Sequence, residues 1–205
     1  MKYMVWDKIP TDEIIDKTKK ALEDNGIKTI VVASGEKAKV EVLKLIPKGA
    51  EVMTATSTTA DQIGLSKVID ESGDYDSTRK KIMALPQSEM RTQARRINAA
   101  VDYVVGSIHA LTEDGHAIIS SNSGSQLAAY VFSAAHVIWV VGAQKIVKDD
   151  AEGIKRISEY TLPLENQRMQ QTYGIDSNIS KVLIVNKEVM PERITVILVK
   201  EKLGF

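Results

Sequence analysis

The chain has 205 residues, of which 43% are hydrophobic and 26% are charged, and this composition is typical of a soluble globular domain with its own core. Its 27 basic residues balance 27 acidic ones, so no net charge attracts nucleic acid or an anionic membrane. The absence of cysteine excludes disulfides, thiolate zinc sites, a cysteine nucleophile and an iron–sulfur cluster held by this chain.

The first part of the chain alternates amphipathic helices with short apolar strands. Thr11 is a candidate N-cap for the first helix, which we expect to end at Asn25-Gly26. The next predicted elements are a strand at 29–32, a helix opened by Ser34-Gly35, a strand at 51–53 and a helix that starts in the capping-box sequence 58–61.

The second part begins with a more polar region, 72–100, whose longest helix starts at Pro86 and runs to about Ala100. Asp114-Gly115 predicts a β-hairpin between 108–113 and 116–121. The other predicted elements are a strand at 102–105, a short helix from about Ser125, a strand at 137–141, a helix capped by Asp149 that ends near Tyr160, and strands at 182–185 and 194–199.

This order of elements predicts an α/β fold in three layers, with a mainly parallel mixed sheet and helices on both of its faces. The hairpin and the two late strands make the sheet mixed. No low-complexity linker divides the sequence, so we expect one domain over residues 1–205. The longest apolar stretch, Leu127–Val141, is too short to cross a bilayer, and the amino-terminal segment lacks the apolar core of a signal peptide. These features predict a cytoplasmic protein.

Four apolar strands end in small residues, and such strand ends border the ligand crevice of an open parallel sheet. The richest in hydrogen-bond donors is 54–59, so we predict an anion or phosphate cradle there, with an ordinary helix cap as the alternative. The predicted ligand-binding residues of this turn are Thr56, Ser57, Thr58 and Thr59.

Two further segments are candidates for the same crevice. The loop 121–126 is rich in small and amide residues, and its predicted ligand-binding residues are Asn122, Gly124, Ser125 and Gln126. The alternative is a loop that satisfies only its own backbone. Lys145 follows the strand at 137–141 and is in reach of an anion in the crevice, unless it is a surface lysine.

Glu113 is the candidate catalytic residue, as a general base or a nucleophile, if the crevice reaches the tip of the hairpin. The alternative is a solvated carboxylate that pairs with His116. His109 lies roughly 13 Å from Glu113 along the strand, so the two cannot share a metal ion, and we predict no metal site. We interpret His109 and His136 as structural residues.

Four blocks of sequence resemble the lactate-utilisation (LUD) domain family. They are Gly106–Gly115, Ser121–Leu127, Val137–Val147 and Pro191–Phe205. The resemblance covers nearly the whole chain. It implies a fold akin to ribose-5-phosphate isomerase, glucosamine-6-phosphate deaminase and the CoA transferases.

In those relatives a small-residue loop after an early strand holds phosphate, and 54–59 occupies that place here, although without the usual glycines. The sequence Thr112-Glu113-Asp114-Gly115 shares Glu113 and Gly115 with the turn whose glutamate is the nucleophile of CoA transferases. Some LUD relatives carry a cysteine-rich electron-transfer module, which this chain lacks.

The resemblance implies a protein of organic-acid utilisation, for example lactate oxidation, that binds a small anionic metabolite or a nucleotide-like ligand. It leaves open whether the chain is an enzyme or a non-catalytic subunit, and it implies lactate-utilisation partners that carry iron–sulfur clusters. The alternative is an isomerase or CoA-transferase-like enzyme acting on a phosphorylated or CoA-linked substrate. A third reading is an assembly protein that contacts its partners through Trp6 and 72–100. The sequence identifies no cofactor, and a homodimer is the default expectation.

Overall fold

A computed structural model describes residues 6–205 of the chain. In chain order, the strands of this part are β1 (Lys28–Val32), β2 (Glu51–Thr54), β3 (Asp76–Ser77), β4 (Val101–Gly106), β5 (Ala110–Thr112), β6 (Ala117–Ser121), β7 (Ala134–Gly142), β8 (Ile146–Val147), β9 (Lys181–Val185) and β10 (Ile194–Val199). The α-helices are α1 (Asp12–Asp24), α2 (Gly35–Leu45), α3 (Thr58–Gln62), α4 (Leu65–Glu71), α5 (Thr78–Met83), α6 (Gln87–Ile97), α7 (Asp150–Arg156) and α8 (Leu162–Tyr173). Two π-helical turns occupy Ala129–Ser133 and Ile157–Thr161.

The central sheet has six strands in the order β1-β10-β7-β4-β2-β3, and every neighbouring pair is parallel. A second sheet has the order β8-β5-β6-β9 and contains the antiparallel hairpin β5-β6. The predicted α/β class and the mainly parallel sheet between helices are therefore confirmed. The antiparallel pairs lie in the second sheet. The late strand β10, whose six residues are all buried, runs parallel in the middle of the first.

The core consists of one cluster on each face of the central sheet, because successive residues of a strand point to opposite sides. In β7, Val137, Trp139 and Val141 pack with α1 and with the inner face of the second sheet. Ile138 and Val140 pack on the other side with α2, α3 and α4. A third cluster lies between the second sheet and the helical segment 150–161.

Local hydrogen bonds show how the helices begin. Ser57 caps α3 by accepting from the backbone N–H of Ala60 at 3.3 Å, so the cap lies one residue before the predicted capping box. Thr11 occupies the N-cap position of α1, but its side chain makes no capping bond. Asp149 caps α7 as predicted, accepting from the N–H of Glu152 at 2.9 Å.

The sequence predicted that the helix capped by Asp149 ends near Tyr160, but in the structure this helix is longer. It continues through the π-helical turn 157–161 into α8, which has a proline in its first turn and ends at Tyr173, with Gly174 as its C-cap. Trp6 is not an exposed partner contact, because it is buried and its indole N–H donates to Glu152 at 3.3 Å. Within residues 6–205, no helix combines the length and the hydrophobicity needed to cross a bilayer.

Candidate functional site

A cavity of about 390 Å³ lies at the carboxyl ends of β2, β4 and β7, where residues from both sheets meet. This volume is in the range of pockets that bind small molecules. The central sheet contributes Thr56–Thr59, Ser107 and Lys145, the hairpin contributes His109 and Ser120, and α8 contributes Glu165, Arg168, Met169 and Tyr173.

The structure brings most of the predicted site residues together around this cavity. Its lining includes the four predicted residues of the first turn and Asn122, Ser125, Gln126 and Lys145. Gly124 does not line it. The backbone N–H of Gly124 donates to Ser121 Oγ at 2.9 Å, and a Cβ on this residue would lie 2.9 Å from the Cδ of Lys181. Gly124 therefore shapes the loop that carries its neighbours.

Glu113 is separated from the cavity. Its carboxylate accepts from Lys17 Nζ at 2.8 Å, and the neighbouring hairpin tip packs against α1, since a Cβ on Gly115 would lie 2.7 Å from the carbonyl carbon of Ala21. The cavity borders the open end of the hairpin, at His109 and Ser120. Glu113 was the candidate catalytic residue on the condition that the crevice reaches the hairpin tip, and for this cavity the condition is not met, because its lining includes the open end of the hairpin and not Glu113. His116 pairs with Asp150 at 3.0 Å rather than with Glu113.

Lys145 is the most unusual residue of the cavity. Only 2% of it is exposed, so it is not a surface lysine. Its Nζ donates to Thr59 Oγ1, to Ser107 Oγ and to the carbonyl of Ile108, each at 3.0 Å. In the part of the chain that the structure describes, no carboxylate lies within 4.0 Å of this nitrogen.

The three acceptors define which form of Lys145 fits the site. Ser107 Oγ donates its own proton to the carbonyl of Val140 at 2.7 Å, and Thr59 Oγ1 donates to the carbonyl of Leu203 at 3.3 Å. Both hydroxyls can therefore only accept from Lys145, and three acceptors match the three donors of an ammonium group. Burial, reinforced by the positive charge of Arg156, lowers the pKa of Lys145 well below its usual value. The ammonium form thus has its hydrogen bonds but lacks a negative counter-charge.

The last residues of the chain pack against the segment that carries Lys145. The Gln144 side chain donates to the carbonyl of Leu203 at 2.8 Å and accepts from its N–H at 3.3 Å. Gly204 follows with φ +64°, and a Cβ there would lie 2.3 Å from Thr59 Oγ1 and 3.4 Å from Lys145 Nζ. Only a glycine allows this close approach, so the segment fixes both Thr59 and Lys145.

His109 lines the cavity, although the sequence suggested a structural role. Its Nδ1 accepts the backbone N–H of Ser120 at 3.2 Å. Burial lowers the pKa of His109 to about 3, and the nearby charges of Lys145 and Arg156 act in the same direction. The imidazole is therefore neutral, with its proton on Nε2. One feature of the sequence could have predicted that His109 lines the cavity: it lies three residues beyond the carboxyl end of β4, where ligand crevices form.

Arg156 is fully buried and contacts the main chain of His109, but it does not itself line the cavity. Its Nη1 donates to the carbonyl of His109 and to Thr161 Oγ1, the latter at 3.1 Å, and its guanidinium lies 5.0 Å from the centre of the Tyr160 ring. Its Nε and Nη2 have no hydrogen-bond partner within residues 6–205. Burial lowers the pKa of Arg156 to about 10, so the residue stays cationic at neutral pH and makes the cavity more favourable for an anion.

The helix α8 adds an ion pair to the lining. Arg168 donates from Nε and Nη2 to the two carboxylate oxygens of Glu165 at 2.8 and 2.7 Å. Both side chains are partly exposed. This pair neutralises itself, so the remaining positive groups at the site are Lys145 and Arg156, and Asp7 acts on Arg156 as a nearby negative charge.

Comparison with known proteins gives one family. The model of the LUD domain matches residues 15–199. A search of curated proteins finds none that matches. Among solved structures, a DUF162 family protein from Deinococcus radiodurans is similar, with 16% identity and a TM-score of 0.58 over 93% of this chain and 99% of the other. At that identity the likeness shows the fold alone. The eIF2B beta structure from Chaetomium thermophilum is 13% identical, with a TM-score of 0.40 over 58% of this chain and 44% of the other, which is too weak to carry an argument.

Proposed function

The chain belongs to the LUD domain family, and from this premise we propose that it binds a small anionic metabolite of organic-acid utilisation in the cavity at the strand ends. Lactate and pyruvate are the first candidates. Because the chain has no cysteine, electron transfer through a cysteine-held iron–sulfur cluster would belong to partner proteins. The proposal covers both an enzyme and a non-catalytic, ligand-binding subunit.

The single observation that carries the proposal is the buried Nζ of Lys145, which lies at the cavity with three hydrogen-bond acceptors and, within residues 6–205, no carboxylate in salt-bridge range. A buried ammonium without a counter-charge is costly, and a carboxylate or phosphate oxygen in the cavity would supply the counter-charge that favours the protonated form. Thr59 and Ser107, which accept from Lys145, hold the ammonium in place at the cavity.

The size and the polar lining support a compact ligand. A volume of about 390 Å³ is near the lower end of the range for small-molecule pockets, so it favours a short organic acid over a nucleotide-like ligand. The lining contains several hydroxyl groups together with the amide groups of Asn122 and Gln126. Such groups recognise the second polar end of a small acid.

The CoA-transferase alternative gains no support from the cavity. Its glutamate nucleophile would be Glu113, and this residue is engaged with Lys17 away from the cavity. We therefore propose no acyl transfer through Glu113.

The test is isothermal titration calorimetry with pyruvate, L-lactate and inorganic phosphate. Lys145→Met removes the charge and keeps a side chain of similar length. We expect at least one of these anions to bind the unmodified protein, and Lys145→Met to weaken that binding by about 10- to 100-fold, as for loss of a charged hydrogen bond.

Lys148→Met is the matched control, because it makes the same change at an exposed lysine three residues away. It is expected to bind as the unmodified protein does. Equal binding by Lys145→Met, or no binding of any of the three anions to the unmodified protein, contradicts the proposal.

A further inference from the structure

The backbone sets the tautomer of His109. The ring accepts the N–H of Ser120 on its Nδ1 at 3.2 Å, and the main-chain N–H of His109 donates to the carbonyl of Ile118 at 3.0 Å. Its own carbonyl accepts from Arg156. The residue is thus fixed at its ring and on both sides of its main chain, and a proton on Nδ1 would break the bond to Ser120.

The second ring nitrogen is available for a ligand. No hydrogen bond to Nε2 of His109 exists within the described residues, and the half-buried ring lines the cavity. Because Nδ1 is an acceptor, Nε2 carries the proton and can only donate. The cavity therefore has an uncharged, fixed donor that requires an oxygen acceptor.

This donor lies next to the cationic site. Lys145 donates to the carbonyl of Ile108, the residue before His109, at 3.0 Å. Arg156 donates to the carbonyl of His109 itself. A protonated ring would add a third positive charge to this cluster. In agreement with this, burial and these two cations lower the pKa of His109 to about 3, so the ring remains a neutral donor over the physiological range.

We propose that Nε2–H of His109 binds the oxygen on the carbon next to the ligand carboxylate, so that the cavity selects 2-oxo and 2-hydroxy acids over plain carboxylic acids. This inference rests on the proposed anion site: the carboxylate compensates Lys145, and the neighbouring oxo or hydroxyl oxygen accepts from His109. A carboxylic acid without that oxygen cannot accept from this N–H and loses one hydrogen bond. His109 is thus a specificity-determining residue.

The test compares three acids of almost equal size. Pyruvate and L-lactate carry an oxygen on the carbon next to the carboxylate, and propionate does not. We expect the unmodified protein to bind pyruvate or L-lactate about 10-fold more tightly than propionate, because propionate lacks the acceptor for one hydrogen bond. In His109→Leu we expect this ratio to fall to about one.

His109→Gln is the conservative control, because its amide N–H can donate from a position similar to Nε2. We expect it to retain most of the ratio. A merely structural role for His109 would weaken the binding of all three acids together and leave the ratio unchanged. Equal affinities for propionate and pyruvate in the unmodified protein overturn this inference alone, whereas failure of pyruvate and lactate to bind overturns it together with the proposed function.

A second measurement needs no ligand. Two-bond ¹H–¹⁵N NMR spectra of the three histidines, assigned through single replacements, report the tautomer of each ring. We expect His109 to show Nε2–H from pH 8 down to pH 5, without titrating. An Nδ1–H tautomer, or protonation within that interval, overturns the inference.

Discussion

Lys145 Nζ donates to Thr59 Oγ1 at 3.0 Å, although the two residues are 86 positions apart in the chain. The bond joins the segment after β7 to the first turn of α3, the helix that follows β2. Ser107, beyond the end of β4, accepts from the same nitrogen at 3.0 Å. One lysine side chain therefore connects segments that follow the carboxyl ends of three parallel strands, and its Nζ lies in the lining of the cavity.

The charge of Lys145 predicts how ligand affinity depends on pH. An anion binds the ammonium form, and burial holds the pKa of Lys145 well below the usual 10.5. Affinity for pyruvate is thus expected to be constant at lower pH and to decrease as pH rises through this pKa, by about tenfold per unit if binding needs the proton. Burial raises the pKa of Tyr130, so this neighbour stays neutral over the same interval. Calorimetric titrations from pH 6 to pH 10 measure the effect, and constant affinity up to pH 10 would contradict the prediction that a lowered pKa of Lys145 controls binding.

His109 predicts a change of stability with pH. Its pKa is about 3 in the folded protein and 6.5 when unperturbed, so between these values the unfolded chain binds one more proton at this residue. The stabilising contribution is fully present above pH 6.5 and is lost as pH falls toward 3, with a slope of at most ~1.4 kcal/mol per pH unit.

Urea unfolding at several pH values measures this slope. Because His116, His136 and all carboxylates are common to both proteins, the difference between the unmodified protein and His109→Gln isolates His109. We expect the free energy of unfolding of His109→Gln to depend less on pH between 6.5 and 3. Parallel curves would show that His109 is protonated alike in the folded and unfolded states.

Glu113→Gln should leave the affinity for pyruvate unchanged, because Glu113 contacts Lys17 and does not line the cavity. Loss of this exposed ion pair should have little effect on stability. Gln126→Ala, at a residue of the lining, should weaken binding. Calorimetry of the two variants distinguishes a site at the tip of the hairpin from a site at its open end. A loss of affinity in Glu113→Gln with none in Gln126→Ala would place the site at the tip and contradict the account.

Gly204→Ala should lower both stability and ligand affinity. The new Cβ would lie 2.3 Å from Thr59 Oγ1, and the left-handed backbone adds a strain of about 1 kcal/mol. Gly174→Ala is the matched control, since its φ of +69° is similar but no atom lies within 4 Å of the added carbon. It should show the strain alone in urea unfolding and normal binding of pyruvate. Equal behaviour of the two variants would mean that Gly204 does not hold Thr59 and Lys145.

The sequence predicted the features that depend on local patterns. Asp114-Gly115 located the hairpin, and the small residues after β2, β4 and β7 located the cavity. The two-residue strand Asp76–Ser77 is too short to show a period of two, so it was missed.

The misses at the site have a different cause, because they depend on contacts between distant residues. The sequence pattern of a hairpin does not reveal which of its two ends borders the crevice. For this reason the sequence could not show that Glu113, at the tip, lies outside the cavity lining. The state of His109 depends on the N–H of Ser120 in the neighbouring strand. The burial of Lys145 depends on Leu203 and Gly204, which come 58 or more residues later in the chain.

The most direct test of the anion site is a crystal structure of the protein with pyruvate. We predict that the pyruvate carboxylate lies in the cavity, close to the cluster of Lys145, Thr59 and Ser107, with the keto oxygen within hydrogen-bonding distance of His109 Nε2. Pyruvate bound outside this cavity, or a cavity that holds only water at saturating pyruvate, would contradict the account.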